Sequence, residues 1–389
     1  MASEPVQGAG ADDVAEDALR LRFRDPQRAR ALAGRLRELA HRRGPDPVSL
    51  MHVCGSHEQA IARFGLRAVF PDALRVVMGP GCPVCVTDVP EVDEAVALAR
   101  AGVAVATYGD MLRVPGSAGS LGDARADGAA VHVVYSIDAA LALARETPGE
   151  LVFFASGFET TAVATAAALL AGPPANFSVL SAHKYIPPVM EIVAEMPATR
   201  IEGFLAAGHA ATITGWGVFE PFVARHRVPV VVAGFEPLDV LAGLVQLLEL
   251  VLRGEPRVVN AFPRCVTRRG NARAQATLWR VFRPIGGRWR GIAQVPNGNL
   301  RLRDEWARFD ARRRFEIDAS GLGEHAPAGL AQACRCGDIM AGIASPEDCR
   351  LFGRECAPAT PVGACMVSSE GTCRIWHEYG GHPRLEAAS

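Results

Sequence analysis

Two cysteines lie inside the glycine- and proline-rich heptapeptide GPGCPVC, at residues 79–85. Cys82 and Cys85 can close a disulfide or hold a metal ion, and the glycines and prolines around them stiffen the loop and let other backbone come close. A thiolate near the start of a helix has a lowered pKa, which favours nucleophilic attack and metal binding. The loop is therefore suited to thiol chemistry, either as a redox-active dithiol or as half of a zinc site.

A third cysteine and a histidine occur upstream in the segment CGSHE, at residues 54–58. Cys54 and His57 follow a strand-like apolar run at residues 48–53, and the heptapeptide follows another apolar run at residues 74–78. Parallel strands end at the same edge of a sheet, so three thiols and an imidazole can meet in one crevice there. His57 can act as acid, base or metal ligand, or it can be a buried structural histidine.

Six of the ten cysteines crowd between residues 334 and 373. Four of them are separated by 14, 6 and 16 residues, namely Cys334, Cys349, Cys356 and Cys373. Four thiolates suit either zinc or an iron–sulfur cluster. The spacing favours a cluster because close C-x-x-C pairs are missing, with zinc or unligated cysteines as the alternatives. Cys336 and Cys365 also lie here, so the spacing leaves open which four of the six bind.

The polar segment SGFETT, at residues 156–161, separates an apolar strand from an alanine-rich helical pattern. Its Ser and Thr side chains suit helix capping or contact with a ligand. His183, Lys184 and His209 occupy similar positions at the ends of later strands. No G-x-x-x-x-G-K-[ST] loop occurs, and no G-x-G-x-x-G follows the first strand, so a nucleotide site is not supported.

Short continuous apolar runs alternate with helical patterns along most of the chain, as in βα units whose parallel sheet is covered on both faces. We therefore predict an α/β fold, with two similar parallel-sheet domains in tandem and a mixed, loop-rich C-terminal iron–sulfur domain. Each tandem block is expected to hold four strands. The predicted divisions are a disordered N-terminus, two α/β domains and the C-terminal domain, at residues 1–17, 18–145, 146–255 and 256–389.

Three local features are also expected. Asp25 and Pro26 form the start of a helix that continues to about residue 43. A second helix is predicted at residues 271–281, and a hairpin around the turn PNGN at residues 296–299.

The composition limits the partners and the compartment. The 389 residues are 49% hydrophobic and 21% charged, and the net charge of -1 gives no general attraction to nucleic acid or to an anionic membrane. The sequence has neither a signal-peptide pattern nor a stretch of bilayer-spanning length, which predicts a cytoplasmic protein. Cytosolic thiols are kept reduced, so clustered cysteines there are catalytic or metal-binding. We expect a monomer when the chain is free.

Together these residues resemble the HypD family of hydrogenase maturation proteins. The resemblance runs from about Asp25 to the C-terminus. It rests on four features, namely CGSHE at 54–58, GPGCPVC at 79–85, GFETT at 157–161, and the C-terminal cysteine spacing with GACMVSSEG at 363–371. Ser56 stands where the family is expected to carry threonine, and both residues carry a hydroxyl group. The resemblance implies two α/β domains and a third that binds a [4Fe-4S] cluster through Cys334, Cys349, Cys356 and Cys373, which leaves Cys336 and Cys365 as non-ligands.

The resemblance also implies a role in assembling the Fe(CN)2CO unit of [NiFe] hydrogenase, together with a small HypC-type chaperone and a HypE-type cyanide donor. Cys54 would bind the iron with a thiolate of the chaperone, since thiolates are suitable soft ligands. Cys82 and Cys85 would be a redox-active dithiol that exchanges electrons with the cluster. His57 and Glu58 would lie beside the iron. Glu370, three residues before Cys373, is placed between cluster and dithiol from its position alone.

Two other functions compete with this scaffold with redox activity. A stand-alone iron–sulfur disulfide reductase needs Cys82 and Cys85 but not Cys54. A zinc-stabilised interaction module needs neither a redox dithiol nor a cluster.

Overall fold

The computed structural model describes residues 23–44, 46–317 and 329–381 of the chain. The segment predicted to be disordered, residues 1–17, lies outside the described residues. The first helix, α1, spans Pro26–Arg43. The Asp25 carboxylate accepts hydrogen bonds from the backbone N–H groups two and three residues further on. The predicted start of this helix is therefore confirmed.

Nine strands form two parallel sheets in the described part of the chain. The first sheet contains β1 (Val48–His52), β2 (Leu74–Met78), β7 (Gly203–Ala207), β8 (Val230–Ala233) and β9 (Val258–Asn260). The second contains β3 (Ala104–Thr107), β4 (Val131–Val133), β5 (Leu151–Gly157) and β6 (Phe177–His183). The strand orders are β2-β1-β7-β8-β9 and β4-β3-β5-β6. Strands β1, β5, β6 and β7 are buried along their whole length, as expected of parallel strands covered on both faces.

Helices follow most strands and cover the sheets. They are α2 (Gly55–Arg63), α3 (Pro83–Val86), α4 (Val89–Arg100), α5 (Leu121–Ala126), α6 (Ile137–Glu146), α7 (Glu159–Leu170), α8 (Ile186–Glu195), α9 (Gly208–Thr214), α10 (Glu220–His226), α11 (Pro237–Arg253) and α12 (Ala272–Val281). Short 3-10 segments lie at Leu66–Val69, Gly109–Arg113, Trp216–Phe219, Asp304–Phe309, Gly329–Ala333 and Pro346–Asp348. The predicted α/β class, with two similar parallel-sheet units, is confirmed.

The strands are divided between the sheets differently from the predicted tandem blocks. The chain leaves the first sheet after β2, builds the whole second sheet, and returns to the first with β7, where Leu50 of β1 pairs with Gly203. A boundary at residue 145 therefore runs through the second sheet. The apolar runs identify strands, but an apolar run carries no information about which strand lies beside it.

The C-terminal part after residue 255 also contributes to both α/β units. Strand β9 pairs with β8 at the edge of the first sheet. Helix α12 contributes Leu278 and Val281 to the core of the second sheet, alongside Phe153 and Leu169. The apolar faces of β9 and α12 are buried in the two α/β cores. These two elements therefore belong to the α/β units and not to a separate domain that begins at residue 256.

The antiparallel hairpin turns earlier than the sequence predicted. Strands β10 (Phe282–Trp289) and β11 (Ala293–Leu302) are joined at residues 290–292, and the PNGN segment lies within β11. The Gly298 carbonyl accepts hydrogen bonds from the Tyr185 backbone N–H at 2.9 Å and from Trp289 Nε1 at 3.2 Å. These contacts hold the PNGN segment against the end of the second sheet and override its turn propensity.

Residues 329–381 form the thiol-rich region, which lacks long helices. Its α-helices are α14 (Cys336–Met340), α15 (Ala364–Val367) and α16 (Thr372–Tyr379), and α13 (Ala311–Arg314) precedes it. Short helices joined by turns agree with the prediction of a loop-rich C-terminal segment. Among the described residues, no helix has both the length and the hydrophobicity that crossing a membrane requires.

Candidate functional site

The loops after β1 and β2 lie side by side at the carboxyl edge of the first sheet. The two strands pair in parallel with His52 opposite Met78. The Gly55 N–H donates to the Gly81 carbonyl at 3.2 Å, and a Cβ atom on Gly81 would overlap the backbone nitrogen of Cys54. Only glycine permits this approach. The predicted meeting of the Cys54 loop with the heptapeptide is therefore confirmed.

Cys82 and Cys85 are joined by a disulfide bond and are both buried. Cys82 precedes α3, and its sulfur accepts a hydrogen bond from the Cys85 backbone N–H at 3.1 Å. The Arg290 N–H, in the turn of the hairpin, donates to the Val86 carbonyl at 3.1 Å and so fixes the end of α3. The bonded pair fits the dithiol interpretation of the heptapeptide.

Cys54 is a free thiol directly before α2 and is only 3% exposed. Burial raises the pKa of its thiol to about 11, and the Glu370 carboxylate adds to the shift. The thiol therefore keeps its proton at neutral pH until a cation or a base takes over. Nδ1 of His209 lies 3.9 Å from the sulfur. Burial lowers the pKa of His209, so its imidazole is neutral at neutral pH.

Two histidines flank the Phe235 ring next to Cys54. The ring centroids of His57 and His209 lie 4.8 and 5.2 Å from that of Phe235. Nε2 of His57 donates to the Gly234 carbonyl at 3.0 Å. Burial, together with His52, lowers the pKa of His57 to about 3. His57 is therefore a fixed, neutral side chain on the helix that begins directly after Cys54.

The sequence placed His209 at a strand end but did not select it as a site residue. It lies two positions after β7, the strand that pairs with β1. The available signal was a polar residue directly after a buried apolar run. This signal identifies His209 as a site residue only if β7 is known to lie beside β1, and that pairing cannot be read from the sequence.

Glu58 belongs to a buried network that links α2 to α16. Its carboxylate accepts hydrogen bonds from His52 Nε2 at 2.8 Å, from Arg67 Nη2 at 2.6 Å and from Trp376 Nε1 at 2.7 Å. Burial opposes its ionisation, but Arg67 and His52 outweigh burial and hold the pKa of Glu58 below its usual range. Since the carboxylate is engaged by these donors, Glu58 supports the position of α2.

Glu370 lies against the start of α2. A Cβ atom on Gly55 would meet the Glu370 side chain, and Ser56 Oγ donates to Glu370 Oε1 at 3.4 Å. Burial raises the pKa of Glu370, and the bond from Ser56 partly offsets the rise. The neighbouring Ser368 donates to Asp110 Oδ2 at 3.1 Å, which ties this segment to the loop after β3. Glu370 is thus a close neighbour of Cys54.

The six C-terminal cysteines form one group of thiols. Cys356 interacts electrostatically with Cys334 and Cys349, and Cys373 does so with Cys334 and Cys356. Gly363 leaves room beside them, since a Cβ atom there would lie 2.6 Å from the Cys334 sulfur. The Val362 N–H donates to the Cys356 sulfur at 3.4 Å. Four thiols with a backbone donor suit an iron–sulfur cluster chemically.

The same group contains the two cysteines that the resemblance leaves without a ligand role. Cys336 lies near Cys334 and Cys365, and Cys365 lies near Cys373. The contact with Cys334 lowers the pKa of Cys336, but the contact with Cys365 and burial raise it well above its usual value. No group of three or more His, Cys, Asp or Glu side chains in the described residues has the arrangement that holds a single metal ion.

The disulfide lies next to this group of thiols. Cys85 Sγ is 3.9 Å from the Ala364 carbonyl oxygen, and α3 packs against α15, which contains Cys365. The chain therefore places Cys54, the disulfide and the C-terminal thiols in adjoining positions.

The equivalent edge of the second sheet is closed by buried polar groups. Lys184 is completely buried, and its Nζ donates to Glu91 at 2.7 Å. Glu159, in the predicted polar loop, accepts a hydrogen bond from the Ile186 N–H at 2.9 Å. Burial raises the pKa of Glu159 to about 7. His183 bonds Thr165 Oγ1 at 3.0 Å and is held inside the core.

The fold and this arrangement define an α/β protein with cysteines gathered at the edge of one sheet. The family model HypD, described as the hydrogenase formation hypA family, matches residues 27–380. The chain belongs to the HypD family.

Curated relatives match over nearly the whole chain. The hydrogenase maturation factor HypD of Azotobacter vinelandii is 43% identical over 374 residues, which cover 92% of this chain and 96% of that protein. A putative hydrogenase expression/formation protein of Methanocaldococcus jannaschii is 43% identical over 86% of this chain and 92% of its own length. The hydrogenase maturation factor HypD of Cupriavidus necator is 41% identical, with 92% and 96% covered.

Proposed function

We propose that this chain is a maturation factor for [NiFe] hydrogenase, on which the Fe(CN)2CO unit is assembled with iron held by Cys54. The observation that carries the proposal is the setting of Cys54, a single free thiol beside His209 and Glu370 and next to a disulfide loop. The names of the relatives support the hydrogenase part of the proposal.

The thiol of Cys54 suits iron as the cargo. A thiolate is a soft ligand that tolerates iron carrying cyanide and carbonyl groups. The thiol must lose its proton to bind iron, and metal binding itself drives that loss, with the proton released to solvent. The neutral imidazole of His209 lies beside the sulfur, with Nδ1 at 3.9 Å. Because burial opposes a thiolate without a partner, Cys54 ionises when the iron arrives and stays protonated otherwise.

Once reduced, the Cys82 and Cys85 pair gives the chain a means of supplying electrons next to the cargo. Its reduction takes two electrons and two protons and yields the thiols of Cys82 and Cys85. When present, a [4Fe-4S] cluster would supply single electrons, and the residues to hold it would be Cys334, Cys349, Cys356 and Cys373. Cys336 and Cys365 lie in contact with these thiols, and the carbonyl of Ala364 approaches Cys85 at 3.9 Å. Cys336, Cys365 and Ala364 are therefore suited to keep the dithiol close to the proposed electron source.

We also propose two protein partners for this chain. A HypC-type chaperone would supply a second thiolate to the iron, and a HypE-type protein would deliver cyanide.

A hydrogenase maturation assay separates this proposal from a stand-alone disulfide reductase, the second function that the buried disulfide favours. Variants Cys54→Ala and Cys265→Ala replace the HypD protein of a host that needs it for hydrogen uptake. Cys54→Ala should abolish uptake, whereas Cys265→Ala, which changes an exposed cysteine, should leave it intact. Full uptake with Cys54→Ala would reject the scaffold and leave the reductase.

The cluster is tested independently of the cargo. Cys356→Ala should bleach the brown absorbance of the anaerobically purified chain and remove its acid-labile sulfide, while Cys54→Ala should retain both. One zinc per chain without sulfide would reject the cluster and favour the zinc-stabilised interaction module.

A further inference from the structure

We propose that Lys184 positions the disulfide loop, residues 82–88, by acting through the Glu91 carboxylate. This loop contains the disulfide bond, the short helix α3 and the residues that lead into α4. The inference rests on the proposed redox role of the disulfide, because it concerns how readily the fold allows that bond to be reduced. It connects the buried ion pair at the edge of the second sheet to the thiols at the edge of the first.

The chain leaves the disulfide at Cys85 and reaches the N-cap of α4 three residues later, at Asp88. The Asp88 backbone N–H donates to Glu91 Oε2 at 2.9 Å. This is the bond that the third helical residue makes back to the N-cap in a capping box. It fixes the direction in which the chain leaves Cys85, and it depends on a Glu91 carboxylate that is held in one orientation.

Two side chains that belong to the second sheet and its hairpin hold this carboxylate. Lys184 Nζ donates to Glu91 Oε1 at 2.9 Å and to Oε2 at 2.7 Å, and Asn299 Nδ2 donates to Oε1 at 3.4 Å. The Lys184 side chain is completely buried and that of Glu91 is 6% exposed. A carboxylate that is buried to this extent is stable as an anion only with its cation in place. Lys184 therefore supports the bond at Asp88.

A loop whose exit is fixed favours the disulfide over the two free thiols. The stability of a disulfide depends on the effective concentration of one thiol at the other, and this concentration is high when the chain holds both in place. Helix α3 is a single turn and contributes little order by itself. Without the bond at Asp88, the segment that carries Cys85 gains freedom in the reduced state, and the disulfide becomes easier to reduce.

A neighbouring ion pair on the same helix provides a matched comparison. Arg312 Nε donates to Glu94 Oε1 at 2.9 Å, and these side chains are 16% and 6% exposed. Glu94 lies three residues further along α4 than Glu91. Within the part of the chain that the structure describes, its carboxylate accepts hydrogen bonds from Arg312 alone. This second pair therefore holds α4 without contacting the disulfide loop.

The test replaces both residues of each ion pair by methionine. The test variant combines Lys184→Met with Glu91→Met, and the control combines Arg312→Met with Glu94→Met. Replacing a whole buried pair by apolar residues leaves no unpaired charge, so both variants should fold. Asn299→Ala is added because it removes one bond to Glu91 and leaves the ion pair in place.

The measurement is the equilibrium between the disulfide and the two thiols in the full chain, purified anaerobically. The chain is equilibrated with mixtures of reduced and oxidised dithiothreitol. Reduced dithiothreitol supplies two electrons and two protons and becomes a cyclic disulfide, while the protein S–S bond breaks and two thiols form. After alkylation, trypsin releases residues 76–100, whose two cysteines are Cys82 and Cys85. The mass of this peptide therefore reports this pair alone.

The test variant should shift the equilibrium towards the thiols by roughly three- to tenfold, as expected for the loss of one hydrogen bond. Asn299→Ala should shift it in the same direction by less, and the control pair should leave it unchanged. An unchanged equilibrium in the test variant, an equal shift in the control, or a shift towards the disulfide in Asn299→Ala would overturn the inference. Hydrogen uptake that persists in Cys82→Ser would count against the proposed redox function and not against this positioning.

Discussion

The two parallel sheets end in edges of opposite character. At the first sheet, glycines let the loops after β1 and β2 touch, and a free thiol, two imidazoles and a disulfide meet there. At the second sheet, the same edge is closed by the Lys184–Glu91 ion pair and by strand β11, where Asn299 pairs with Lys184. One edge gathers cysteine and histidine side chains in a largely buried cluster, and the other uses its polar groups to hold the protein together.

This difference shows that a parallel sheet determines where a site can form but not whether one does. Both edges offer strand ends and helix starts, which is the usual place for ligands. The first becomes a candidate site because small residues at 79, 81 and 234 leave room for close approach. The second is filled by long side chains from α4 and β11.

The largest loss of stability is expected when the cation at the edge of the second sheet, Lys184, is removed. Lys184→Met leaves the buried Glu91 carboxylate without its partner and should lower the free energy of unfolding by about 3–5 kcal/mol. Chemical denaturation measures this change. The control Arg225→Gln removes an exposed pair with Glu191 and should cost at most about 1 kcal/mol. Equal losses in the two variants would show that the second edge is not a supporting element.

The buried carboxyl group of the same edge should make stability depend on pH. The pKa of Glu159 rises from its usual 4.5 to about 7, so the folded state binds more protons than the unfolded state between these values. Stability should therefore fall as the pH rises from about 4.5 to about 7, by up to about 3 kcal/mol.

Thermal unfolding of the wild type and of Glu159→Gln between pH 4.5 and pH 8 tests this. The variant lacks the titrating group and should lose this part of the decline. Parallel curves for the two proteins would contradict the assignment.

The glycines at the edge of the first sheet test whether its two loops must lie close together. Gly81→Ala places a Cβ atom against the backbone at Cys54, which cannot give way, and should cost about 1–3 kcal/mol together with iron binding. In Gly79→Ala the new atom meets the flexible side chain of Met51, so a smaller loss is expected. Unfolding free energies and iron content measure the two variants. Full iron content in Gly81→Ala would show that close approach of these loops is not needed.

The smallest effect concerns Ser56 at the start of α2. Ser56→Ala removes the hydrogen bond of 3.4 Å to Glu370 and should cost about 0.5 kcal/mol, the low end for such a bond. Ser56→Thr retains the hydroxyl group and should keep the stability of the wild type. Denaturant titration of both variants measures the difference. A larger loss in Ser56→Thr than in Ser56→Ala would show that space, and not the hydrogen bond, matters here.

The sequence predicted the local features better than their arrangement. Asp25 and Pro26 fixed the start of α1, and the polar residues after β1 and β2 correctly located the Cys54 edge. The pairing of β7 with β1 was missed because a buried apolar strand carries no mark of its neighbour. With that pairing unknown, nothing distinguished His209 from His183 as a candidate site residue. Of these two histidines, His209 is the one that lies beside Cys54.

Glu58 illustrates the other limit of the sequence. The family resemblance implied a place for Glu58 beside the iron, and the structure shows its carboxylate in a network with His52, Arg67 and Trp376. Arg67 and Trp376 are distant in the sequence, and neither carries a motif. A glutamate in a buried structural network and a glutamate that binds a metal look the same in the sequence, so only the packing distinguishes these two roles.

The infrared spectrum of the chain purified with its small HypC-type chaperone tests the central claim most directly. The wild type and Cys265→Ala should both show the cyanide and carbonyl bands of an Fe(CN)2CO unit. Cys54→Ala should lose these bands while the brown absorbance of the cluster persists. Bands of undiminished intensity in Cys54→Ala would contradict the assignment of Cys54 as the residue that holds the iron.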